Sequence, residues 1–148
     1  MPALPLLLSA ALSAAPCAPA EVRCSCVPPG PPREALAQAG AVFAGRVVSV
    51  GERRGGNPEQ PYLEVRFVPG RRWKGAAADT VTVLTPPNSA VCGYAFETGR
   101  DYLVYAEGGD ALRVFLCSRT AALADAGQDL AALGAPAATR IPVRKEIP

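Results

Sequence analysis

Histidine is absent from the whole chain. The usual general base, proton shuttle and commonest metal ligand are therefore missing, so these residues cannot build a Ser-His-Asp or Cys-His site. Charge is scarce as well: 19% of residues are charged and the net charge is +2. A balance this small gives no electrostatic case for a nucleic-acid partner. Nor is there an apolar run long enough for a membrane-spanning helix. What the chain has in excess is punctuation, with 16 Pro and 14 Gly. That composition favours short strands and turns over long helices.

Residues 3–15, ALPLLLSAALSAA, have the length of a signal-peptide core. Ala18-Pro19-Ala20 then supplies a small-x-small cleavage site, so residues 1–20 are expected to be removed and the mature chain to begin at Glu21. Export to an extracellular or periplasmic compartment follows. The cysteine count argues the same way. Of Cys17, Cys24, Cys26, Cys92 and Cys117, only Cys17 lies in the leader, and its loss leaves an even four. Acylation of Cys17 is the rival reading, but Pro16 directly before it fits a lipoprotein signal poorly.

The mature chain reads as one domain over residues 21–134 and a loose tail over 135–148. Strands are expected at 41–50, 62–68, 79–85, 101–107 and 111–117, the last two joined as a hairpin through Gly108-Gly109-Asp110. PGRRWKG, 69–75, reads as a turn, and helical pieces are expected at 33–39 and 123–134. Five short strands with flanking helices predict an all-β closed or half-closed barrel, because closure removes exposed strand edges.

Four cysteines allow three pairings. A Cys24–Cys26 bridge across one intervening residue is disfavoured by geometry, and both remaining pairings tie the N-terminal segment to Cys92 and Cys117. Prolines 28, 29, 31 and 32 then stiffen the exit from Cys24-Ser25-Cys26. A four-cysteine zinc site is the poorer reading, since the C-x-C…C…C spacing lacks paired knuckles and export implies an oxidising environment.

In order and spacing, CSCVPPGPP (24–32), WKG (73–75), SAVCGY (89–94) and LCS (116–118) resemble the inhibitory N-terminal domain of the tissue inhibitors of metalloproteinases. The resemblance spans about residues 24–118. It implies a five-stranded oligonucleotide/oligosaccharide-binding-type barrel, the netrin-like module. It also implies bridges Cys24–Cys92 and Cys26–Cys117. In the family the first cysteine is the mature N-terminus, and its amine and carbonyl chelate the catalytic zinc of a metalloendopeptidase. Here that role would fall to Cys24. Ser25 would enter the specificity pocket, Cys26 and Val27 would follow along the cleft, and Ser89, Ala90 and Val91 would form a second contact ridge. The chain departs from the pattern in three ways. No cysteine stands near Leu36 for the family's third bridge, and none follows Cys117 for a C-terminal subdomain. Cleavage after Ala20 also leaves Glu21-Val22-Arg23 ahead of Cys24, so a second cut after Arg23 would be needed to free its amine.

The expected function is a secreted metalloendopeptidase inhibitor, with no cofactor or metal of its own and no catalytic residue. The alternative is a non-inhibitory netrin-like interaction module that binds a surface protein, or a polyanion through Arg53, Arg54, Arg71, Arg72 and Lys74. Trp73 is expected to close the barrel. Tyr94, Tyr102 and Tyr105 are expected to pack with wet hydroxyls, and Asp125 and Asp129 to lie on the surface.

Overall fold

The computed structural model describes residues 24–54 and 61–137. The leader, Cys17, the Glu21–Arg23 segment and tail residues 138–148 lie outside the described residues. In chain order the elements are helix α1 (Pro32–Gln38), strands β1 (Ala41–Glu52), β2 (Leu63–Lys74) and β3 (Val81–Thr85), a 3-10 turn (Ser89–Val91), strands β4 (Asp101–Ala106), β5 (Leu112–Arg113) and β6 (Ala121–Ala122), a second 3-10 turn (Leu123–Asp125), and helix α2 (Gly127–Leu133). The strands form one sheet in the order β5-β3-β2-β1-β4-β6. Beyond β4, Glu107 exchanges both backbone hydrogen bonds with Arg113 of β5, at 2.8 and 2.9 Å. That single pair joins the two sides of the curled sheet, so the all-β barrel expected from the strand count is what forms.

Alternation along β1 and β4 serves two cores at once. Ala41, Phe43 and Val47 of β1 and Tyr102, Val104 and Ala106 of β4 face the barrel interior with Val65, Phe67, Val81, Val83, Phe96 and Val114. Val42, Ala44, Leu103 and Tyr105 face outward, beneath the two helices. These stretches are buried on both faces, which is why they read as near-continuous apolar runs. Edge-to-face contacts fill the interior, with ring centroids 5.4 Å apart for Phe43–Phe67, 5.3 Å for Phe67–Phe96 and 5.0 Å for Phe96–Tyr102.

Three expected elements come out differently. The turn expected at 69–75 is strand instead, because β2 continues to Lys74. Pro69 sits opposite Gly45 where the β1–β2 register shifts, and a side chain on Gly45 would stand 2.8 Å from the Val68 carbonyl. A bulge facing a glycine lets a proline remain inside a strand. The hairpin strand at 111–117 shrinks to Leu112–Arg113, which runs parallel to β3. The expected 123–134 helix is a 3-10 turn followed by α2.

Trp73 does not close the barrel. It packs on the outer face with Leu36, Leu123, Leu130 and Leu133, and its Nε1 donates to the Gly134 carbonyl at 2.9 Å. The start of the tail is not loose either: the Ala137 amide donates to the Arg72 carbonyl at 2.6 Å. The hydroxyl of Tyr102 is not wet, since it accepts from the Glu97 amide at 3.0 Å, and Tyr105 is buried.

Candidate functional site: a disulfide-bound edge

The segment from Cys24 to Pro31 forms no helix or strand. Its prolines lack the amide hydrogen that either would need. Pro32, by contrast, opens α1, where a first-turn residue has no intrahelical partner to lose. Covalent bonds hold the segment to the body: Cys24 bonds Cys92 and Cys26 bonds Cys117, each pair with Cα atoms 5.1 Å apart. The two bridges lie side by side, with the Cys24 and Cys117 sulfurs 3.7 Å apart. Although the sulfurs of Cys24, Cys26 and Cys117 cluster within 4.8 Å, all are consumed in disulfides and offer no thiolate. The four-cysteine zinc site weighed from the sequence is therefore excluded.

The second strip of the edge is built by local capping. Asn88 Oδ1 accepts from the amides of Ala90 and Val91, at 3.1 and 3.4 Å, and folds Ser89–Val91 into its 3-10 turn. Cys92 ends the turn in the left-handed region, with φ 65°. Gly93 follows because a side chain there would lie 2.0 Å from the Pro86 carbonyl. The Cys92 carbonyl accepts from the Leu116 amide at 2.8 Å, and Thr85 Oγ1 at the end of β3 accepts from Tyr94 at 2.8 Å. The strip is thus tied to the barrel on both sides. Beneath it lies a cavity of about 380 Å³ lined by Val50, Leu63, Val65, Tyr94 and Phe96.

Cys24 is half-buried, while Ser25, Cys26, Val27, Ser89, Ala90 and Val91 are exposed. Val27 is 83% exposed, Val91 53% and Leu116 39%. Each of these three large apolar side chains is next in sequence to a bridged cysteine, so the disulfides gather otherwise scattered apolar exposure onto one edge. Asn88 and Leu116 were not singled out from the sequence. The Asn-Ser pair before Val-Cys-Gly was a legible capping signal; the exposure of Leu116 had none.

Asp129 is not a surface residue, as the sequence suggested, but is 8% exposed. Arg119 holds it in a fork, Nε to Oδ2 at 2.7 Å and Nη2 to Oδ1 at 2.6 Å, while Nη1 donates to the Gly30 carbonyl at 2.9 Å. The hydrogen bond from Arg119 holds the Asp129 carboxyl below the usual carboxylate range, against an opposing push from burial. A carboxylate depressed in the folded state adds stability above its unfolded pKa, which is lost as pH falls through the folded value. The unfolding free energy should therefore decline below about pH 4. Urea unfolding across the acid range should show a flatter decline for Asp129→Asn; an identical slope would remove Asp129 from the acid sensitivity.

The five basic residues do not assemble into one patch. Arg71 lies over the Trp73 ring, Arg72 donates to the Ala78 carbonyl and Lys74 Nζ donates to the Leu36 and Ala37 carbonyls. Arg53 and Arg54 lie past the far end of β1, roughly 30 Å along the strand from the position opposite Arg71. No helix among the described residues is long and apolar enough to cross a membrane.

The chain matches the family model for tissue inhibitor of metalloproteinase over residues 22–127. It is also similar to Metalloproteinase inhibitor 2 of Canis lupus familiaris, at 34% identity over 125 residues, covering 78% of this chain and 53% of the relative. The chain thus spans about half the length of the curated relative it matches.

Proposed function

The chain belongs to the tissue inhibitor of metalloproteinase family, and from that premise we propose that it is a secreted inhibitor of zinc metalloendopeptidases that binds through its disulfide-bound edge. The observation that carries this reading is the pairing of two exposed strips, Cys24–Val27 and Ser89–Val91, across the Cys24–Cys92 bridge. Strips locked before binding lose little conformational entropy on docking, so more of the contact energy survives as affinity.

In this reading the Cys24 amine and carbonyl take the open position that a catalytic zinc keeps for water or substrate. An amine with pKa near 8 gives up its proton readily beside a dication. Ser25 points into the pocket beside the zinc, and Val27, Val91 and Leu116 cover apolar surface along the cleft. The zinc is the protease's, and the inhibitor brings only donors and shape.

The test is a titration of a panel of zinc endopeptidases with exported protein whose terminus has been sequenced and trimmed to Cys24. We expect 1:1 tight inhibition of at least one member, and much weaker binding to the same protease once its zinc is chelated away. A trimmed, correctly bridged protein that leaves the whole panel active would overturn the reading.

A further inference from the structure

We propose that Arg119, held by Asp129, is a positioning residue for the protease-binding edge: it sets the direction in which the Cys24–Pro31 segment leaves the body. This rests on the inhibitory reading above for its functional consequence, but not for its structural one.

Two disulfides pin the segment at Cys24 and Cys26, only two residues apart. Downstream the chain enters α1 at Pro32, so residues 27–31 span two anchored ends. Among the described residues, segment 24–30 makes one hydrogen bond to the body, from Arg119 Nη1 to the Gly30 carbonyl. That bond ties the middle of the span directly to the body, between the bridges and α1. Pro28 and Pro29 fill most of the gap between Cys26 and Gly30, and their fixed φ carries the constraint at Gly30 back to Val27.

Arg119 suits this task through its place and its shape. It stands two residues beyond Cys117, on the short stretch that also holds Cys26. Its guanidinium reaches Asp129 with one edge and Gly30 with the remaining nitrogen. A planar fork makes these bonds together, whereas a lysine ammonium cannot reproduce the geometry. Asp129 belongs to α2, which packs on α1 through Leu36, Leu130 and Leu133 and receives a bond from Arg33 Nε to the Ala132 carbonyl at 3.1 Å. The helices therefore give Arg119 a fixed base, near Leu36, where the resemblance would place the missing third bridge.

A staple that merely holds α2 would change stability and leave the edge alone. The deciding measurement is therefore backbone order at Val27 and Gly30 by NMR relaxation, in wild type, Arg119→Met, Arg119→Lys and Asp129→Asn, with both disulfides verified by mass. Wild type should show order near 0.85 at both residues. Arg119→Met and Arg119→Lys should fall below about 0.6 there while β1 and β4 stay rigid, and Asp129→Asn should fall between. With Cys24 as the terminus, Arg119→Met should bind an inhibited endopeptidase about tenfold more weakly. Unchanged order at Val27 and Gly30 in the folded Arg119 variants overturns the proposal, even if they melt earlier. If the wild type inhibits nothing, the functional reading fails by itself, and the order measurement still decides the positioning role.

Discussion

We expect a chain that begins at Cys24 to bind a zinc endopeptidase roughly a thousandfold more tightly than the same chain begun at Glu21, a difference of about 4 kcal/mol. The argument turns on one nitrogen. As a terminus, the Cys24 nitrogen is an amine whose lone pair becomes available to a metal once its proton leaves. Joined to Arg23, it is an amide whose lone pair is delocalised into the carbonyl and coordinates poorly. Three further residues would also stand in the cleft that the edge must enter. Acetylation of Cys24 separates the two effects, because it blocks the nitrogen with only a small group. Inhibition constants for the free, acetylated and Glu21-started forms make the comparison. Equal inhibition by all three would sink zinc chelation through Cys24 and leave docking of the edge as the only source of affinity.

Removal of the Cys26–Cys117 bridge, by paired substitution to alanine, should cost about 3.5 kcal/mol of folding stability. The two bridges close segments of 68 and 91 residues in sequence separation. Because they overlap, with Cys24–Cys92 intact the second bridge closes only about 28 residues, the stretches 24–26 and 92–117, which in the chain-entropy model restricts the unfolded ensemble by that amount. A domain this small has a total stability on the order of 5–15 kcal/mol, so the loss is a large share of it. The melting temperature should drop by roughly 15 °C. The edge should suffer as well, because Val27 would then be tethered through Cys24 on one side and only through Gly30 and α1 on the other. Denaturant unfolding of the double variant checks the first claim and inhibition by its folded fraction checks the second. A stability loss under about 1 kcal/mol would mean that the unfolded chain is already compact, and the entropic account would fail.

Much of the barrel was legible because strands that line a closed core must alternate. Val65 and Phe67 point inward and Arg66 outward along β2, as the period of two requires. The misread stretch at 69–75 shows where local rules stop. Pro69-Gly70 carries turn chemistry, yet the close approach of Gly45 across the sheet keeps it in the strand. The 111–117 stretch failed for the opposite reason. Its β-rich residues break after Val114 into a turn, with the Ser118 amide donating to the Phe115 carbonyl at 3.0 Å, and that turn carries Cys117 to Cys26. Strand propensity there yields to the covalent bridge and the path it demands.

By itself the sequence determined the local parts: apolar alternation that demands a barrel, prolines that forbid regular structure after Cys26, and an Asn88 that caps the turn ahead of Cys92. These depend on φ/ψ limits and side-chain period, which act over a few residues. Tertiary structure alone decided which distant groups meet. It placed Val27, Val91 and Leu116 on one edge, turned Asp129 inward to Arg119, and separated Arg53 and Arg54, past the end of β1, from Arg71 and Arg72 on β2. Those outcomes depend on sheet register and loop closure, which bring together residues that lie as much as 99 positions apart in the chain.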